Sequence, residues 1–205
     1  MKRRLIFLCT VFLVLGIMGN VRAAPFTFDM GAGSDIDTSG TSDVLEMYAS
    51  VNGNLDGISY ELEPGHCHSF HFATIGTNEG WINDDDLIPG EVTAYVDFDS
   101  PEIVNSINGT SLGFAGCFHF CQGWNLTWAD PVVVDLGGGS QYTIELSDVG
   151  YGSWFWQGPD GTADITATVS YGSSIPVPEP ATMFLFGIGL IIFAFIARRG
   201  IAVKR

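Results

Sequence analysis

Apolar and polar side chains alternate with a period of two through most of residues 24–172. An extended strand turns successive side chains to opposite faces, whereas a helix needs like residues about every 3.6 positions. The pattern therefore excludes a helical domain and requires half-buried strands. In residues 91–99, Val92, Ala94, Val96 and Phe98 share one face, and Glu91, Thr93, Asp97 and Asp99 share the other. Tyr142, Ile144 and Leu146 alternate with Thr143, Glu145 and Ser147, and Ile165, Ala167, Val169 and Tyr171 form a third apolar face. Phe26/Phe28/Met30, Leu45/Met47/Ala49/Val51 and Ile58/Tyr60/Leu62 repeat the pattern in shorter runs. Between the runs lie Asn52-Gly53-Asn54, Pro64-Gly65, Pro89-Gly90, Asn108-Gly109, Gly137-Gly138-Gly139 and Pro159-Asp160-Gly161, all read as turns. The expected fold is all-β: about eight to ten short strands in an antiparallel β-sandwich, jelly-roll-like in its connections.

Charge narrows the function. The 205 residues hold 8 Lys and Arg against 23 Asp and Glu, a net charge of −15. Every basic residue lies near an end, so residues 25–180 contain no Lys or Arg and all 23 acidic groups. A domain without cations cannot neutralise phosphates, which excludes nucleic-acid binding. It also lacks an Arg clamp and a Lys for Schiff-base chemistry.

The two ends read as routing signals. Lys2, Arg3 and Arg4 precede an apolar run at residues 5–18, and Val21-Arg22-Ala23 supplies small residues at signal-peptidase spacing. Residues 1–23 are expected to be a signal peptide removed by signal peptidase. At the other end, residues 173–180 form a linker containing Val177-Pro178-Glu179-Pro180. Residues 181–197 carry no charge and make about 25 Å of helix, against a hydrocarbon core of about 30 Å. This is the expected transmembrane helix. Arg198 and Arg199 open a basic tail, 198–205, that belongs in the cytoplasm and leaves the domain outside.

The order Pro178-Glu179-Pro180, apolar helix, Arg198-Arg199 resembles the PEP-CTERM sorting signal of Gram-negative bacteria, over about residues 176–199. The resemblance implies an exported precursor, held transiently in the inner membrane and cut there by an exosortase-type membrane protease. The cell surface or extracellular matrix is its implied destination. Proteins with such tails often accompany exopolysaccharide genes and differ widely in their domains. The resemblance thus implies a route, with exopolysaccharide as a partner.

Histidine and cysteine fall in two windows once the signal is gone: His66, Cys67, His68 and His71, then Cys117, His119 and Cys121. With Phe70 and Phe72 facing the core, Cys67, Ser69 and His71 point outward; Phe118 and Phe120 do the same for Cys117, His119 and Cys121. If the two strands pair, these groups share one face. Three readings stand: a disulfide from Cys67 to Cys117 or Cys121, which export favours; a zinc or copper site using Cys117 and His119 with Cys67 or His71; or no joint role. A Cys117–Cys121 disulfide is disfavoured on an extended strand, where i and i+4 lie about 13 Å apart.

Calcium is the cofactor candidate. Asp35, Asp37, Ser39, Asp43 and Glu46 occupy positions 1, 3, 5, 9 and 12 of an EF-hand-like loop, with Gly40 at the turn position. Ser42 stands where an apolar residue is usual, and the upstream segment reads as strand. Asn83-Asp84-Asp85-Asp86, near Glu79, is a second acidic loop. Catalytic motifs for acyl or phosphoryl transfer are absent, so the chain is expected not to be an enzyme. The leading expectation is a structural or adhesive surface protein. The alternative is a carbohydrate- or metal-binding module, in which Trp81, Trp124, Trp128, Trp154 or Trp156 stacks on sugar rings if not used in the core.

Overall fold

The computed structural model describes residues 24–116, 121–154 and 158–173, with Gly187, Ile188 and Ile191 beyond them. Twelve strands occur among the described residues: β1 (Phe26–Met30), β2 (Asp35–Asp37), β3 (Met47–Val51), β4 (Ser59–Leu62), β5 (Cys67–Thr77), β6 (Gly90–Ser100), β7 (Ile103–Ala115), β8 (Cys121–Trp128), β9 (Val132–Gly137), β10 (Ser140–Leu146), β11 (Val149–Trp154) and β12 (Thr162–Ser173). One short 3-10 turn, Ser39–Thr41, lies between β2 and β3. The signal peptide expected at 1–23 falls outside the described residues, as does nearly all of the span expected at 181–197.

Two antiparallel sheets share one core. The first has the order β11-β8-β7-β6-β1-β4, with β2 also paired to β6; the second has the order β3-β5-β12-β10-β9. The period-two alternation governs both. Val92, Ala94, Val96 and Phe98 of β6 are all buried, as are Tyr142, Ile144 and Leu146 of β10 and Ile165, Ala167 and Val169 of β12. Phe28 sits where the sheets meet. It stacks on Tyr60 at 5.6 Å and meets Tyr142 of the opposite sheet edge-on at 5.4 Å. Burying a side chain of this size contributes about 1.5–3 kcal/mol.

Two sequence expectations need correction. The strands are more numerous than expected, and β5, β6, β7 and β12 run to 11, 11, 13 and 12 residues. Asn108-Gly109 is no turn: it lies inside β7, with Asn108 opposite Thr93 and Gly109 opposite Trp128. Glycine serves there for close approach, since a Cβ would stand 2.7 Å from Trp128 Cε3. Gly137-Gly138-Gly139 is a true turn, with φ of +80°, +62° and +80°, a region that L side chains avoid.

A register shift in β5 re-aims its side chains. His71 pairs with Thr166 and Ala73 with Ile165, so Phe72 has no partner opposite. Phe72 and Ala73 are both fully buried. The extra residue flips the alternation. His71 and Thr74, which a regular strand would put on opposite faces, both point outward.

Candidate functional site

Cys67 and Cys121, the described cysteines of the two windows, do not come together. Cys67, Ser69 and His71 point outward from β5, as their parity requires. But β5 pairs with β3 and β12, while β8, which begins at Cys121, pairs with β7 and β11. Cys67 and Cys121 therefore belong to different sheets. Cys67 and Cys121 are free thiols. A Cys67–Cys121 disulfide would have to cross the core from one outer face to the other, so these two thiols share no face. Cys117 and His119 lie outside the described residues, as do the remaining pairing with Cys67 and the zinc reading that needs them. The Cys117–Cys121 pairing likewise lies outside the described residues.

On the outer face of the five-stranded sheet, β5 and β12 build a polar array. Thr74 Oγ1 donates to Asp164 Oδ1 at 2.8 Å, and His71 Nε2 lies 3.4 Å from that oxygen and 3.3 Å from Thr74 Oγ1. Ser69 and Thr168 hydroxyls bond at 2.8 Å one row along. His71 and Asp164 are 44% and 71% exposed, so the pair is screened by water and contributes little. Sequence reasoning found His71; the register shift that brings Thr74 to it left no trace in the alternation.

The EF-hand-like segment is built from strand β2 and the 3-10 turn Ser39–Thr41. Asp35 and Asp37 stand on strand β2, opposite Tyr95 and Thr93. Asp35 Oδ1 accepts the Ile36 N–H at 2.8 Å and Asp37 Oδ1 the Ser39 N–H at 2.9 Å. The Ser39 bonds hold the Asp37 carboxyl below its ordinary value. Gly40 is needed for contact rather than for a turn, because a Cβ there would lie 2.6 Å from the Glu91 carbonyl oxygen. Glu46 has φ of +40°, unusual for a side-chain-bearing residue. Among the described residues no three His, Cys, Asp or Glu, Asp43 included, are grouped to hold a metal ion.

The second acidic loop contains what the sequence hid. Asp86 is fully buried. Its Oδ2 accepts the Asn83 N–H at 2.8 Å, its carbonyl accepts the Gly113 N–H at 2.9 Å, and its Oδ1 is buried without a partner. Burial pushes its carboxyl up from the usual range, with Asp85 and Glu46 adding to the effect and the Asn83 bond opposing it. Glu79 is raised too, first by burial and then by Asp86, Glu46 and Asp85.

A cavity of about 420 Å³ opens where β6, β7 and β8 run side by side. Glu91, Asn108, Thr110, Thr127 and Trp128 line it, with Gly109 among them. Glu91, Thr110 and Thr127 stand directly opposite one another across the three strands. Trp128 is 8% exposed, and its indole N–H is buried without a hydrogen bond. Of the other tryptophans, Trp124 is core, its N–H donating to the Pro159 carbonyl at 3.1 Å, and Trp81 is partly exposed. The Trp154 side chain and Trp156 fall outside the described residues.

Comparison with known proteins bears on the tail. The family model for the PEP-CTERM protein-sorting motif matches residues 176–199. The tail matches the PEP-CTERM sorting motif. The match takes in Val177, Pro178, Glu179, Pro180, Arg198 and Arg199, all outside the described residues. A PEP-CTERM motif implies export, processing by exosortase, a membrane protease, and sorting to the cell surface. No curated protein matches the chain, and no solved structure does. Among the described residues no helix is long and apolar enough to cross a membrane.

Proposed function

We propose that the exported domain is a non-enzymatic structural or adhesive component of the cell surface or extracellular matrix, in contact with exopolysaccharide. The PEP-CTERM match at residues 176–199 carries this reading, because such a motif implies export and cell-surface sorting. In this reading signal peptidase removes residues 1–23, residues 181–197 anchor the precursor briefly in the inner membrane, and exosortase frees the domain. The composition supports it. With no Lys or Arg between residues 25 and 180, the domain repels nucleic acid and anionic lipid and stays soluble through its own charge. Outward-facing polar residues of both sheets, such as Ser69, Thr168, Thr93 and Asn108, offer hydroxyls and amides to a matrix partner.

The test is to express the full chain in a PEP-CTERM-competent host with and without its exosortase. Processing that depends on the protease, with the product in the matrix fraction and released by a polysaccharide-degrading hydrolase, is the expected result. Retention in the cytoplasm, or a matrix level indifferent to the hydrolase, would overturn the reading.

A further inference from the structure

We propose that the cavity between β6, β7 and β8 is a binding site for a neutral glycan. The inference rests on the surface-matrix reading above and names the site and the class of ligand. The volume, about 420 Å³, falls in the range of about 300–1,000 Å³ common for small-ligand sites.

The lining chemistry selects the ligand. Glu91 only accepts hydrogen bonds, and the Thr110 and Thr127 hydroxyls both donate and accept. Thr93 Oγ1 donates to Asn108 Oδ1 at 3.3 Å, which leaves the Asn108 amide NH₂ to donate outward. Mixed donors and acceptors at strand spacing suit the hydroxyls of a sugar, each of which is itself donor and acceptor. Trp128 alternates with Thr127 and faces the core at 8% exposure, so the polar row, and not an aromatic platform, selects the ligand. An anionic ligand is disfavoured: Glu91 lines the cavity, and residues 25–180 hold no Lys or Arg to compensate a phosphate, sulfate or uronate.

The Glu91, Thr110 and Thr127 side chains are also uncommitted to one another. On the five-stranded sheet, facing hydroxyls and carboxylates satisfy each other, as in Ser69–Thr168 and Thr74–Asp164. The Glu91–Thr110–Thr127 row makes no such side-chain bond among the described residues, although its members face one another across adjacent strands. Gly109, on the inward side of β7, lets the strand lie close over the buried Trp128 beneath this row, because a Cβ there would strike Trp128 Cε3 at 2.7 Å.

The experiment uses protein exported from the full chain. It is titrated with neutral cello-, laminari-, malto- and manno-oligosaccharides and with acidic oligogalacturonate, by tryptophan fluorescence and calorimetry. The expected result is binding of at least one neutral oligosaccharide with Kd below about 1 mM, and none of the acidic one. Asn108→Ala and the pair Thr110→Val/Thr127→Val should each weaken binding roughly tenfold or more, a loss of about 1.4 kcal/mol, with the melting temperature unchanged. Absence of neutral-sugar binding at millimolar concentration, preference for the acidic oligosaccharide, or binding indifferent to both variants would overturn the proposal. Should a variant melt early, Glu91→Gln, on an exposed residue, supplies the same reading. Matrix residence without sugar binding sinks the site but not the surface role, and sugar binding without matrix residence does the reverse.

Discussion

Asn105 and Tyr142 join the two sheets through the core, the Asn105 Nδ2 donating to the Tyr142 hydroxyl at 3.1 Å. Asn105 belongs to β7 and Tyr142 to β10, and both are buried. A polar pair in an apolar interior is tolerated when each member satisfies the other. Asn105→Ala should lower stability by about 1–3 kcal/mol, because it leaves the tyrosine hydroxyl desolvated and unpaired. Adding Tyr142→Phe should recover part of that loss. Urea unfolding of both single variants and the double variant checks this, and simple additivity would count against it.

Asp86 should make stability fall as pH rises. Burial raises its folded-state pKa above the unfolded value. Its contribution is therefore complete below the ordinary carboxylate pKa and is lost as pH climbs through the raised one. Glu79 acts in the same direction. Asp86→Asn should raise the melting temperature at neutral pH and flatten its decline between acid and neutral conditions, with Glu79→Gln a smaller copy. Thermal melts across that range decide the matter; an unchanged slope would show that neither carboxylate titrates as described.

Tyr60 carries a hydroxyl with nothing to bond. Its ring stacks on Phe28 at 5.6 Å and lies 4.4 Å from the His68 ring, while the oxygen is buried without a partner. Burial also drives its pKa well above the ordinary tyrosine value. Tyr60→Phe keeps the rings and removes the unsatisfied group. The expected gain is about 1 kcal/mol in chemical denaturation.

Gly123 holds the edge of the seven-stranded sheet together. A Cβ there would lie 2.0 Å from the Tyr151 carbonyl oxygen and 2.8 Å from Phe114 Cζ. The first obstacle is backbone and cannot swing aside. Gly123→Ala should cost about 1–3 kcal/mol and loosen β11. Hydrogen exchange at β8 and β11 amides gives the local reading. Gly53→Ala, with open space around it, serves as the control and should be nearly neutral.

The sequence by itself determined the all-β class, the inward side of β1, β6, β10 and β12, most turns, and the sorting route. These are local properties. Alternation is set by each residue against its immediate neighbours, and the tail is recognised as a linear string. Asn108-Gly109 was misleading for the same reason: the dipeptide favours a turn until Trp128, from another strand, claims the space over the glycine. Tertiary structure decided which strands became neighbours. That choice put Cys67 and Cys121 in different sheets, brought Thr74 beside His71, buried Asp86 within an acidic loop, and aligned Glu91, Thr110 and Thr127 across three strands. Strand pairing depends on how whole faces fit against a common core, and no period or spacing along the chain encodes that fit.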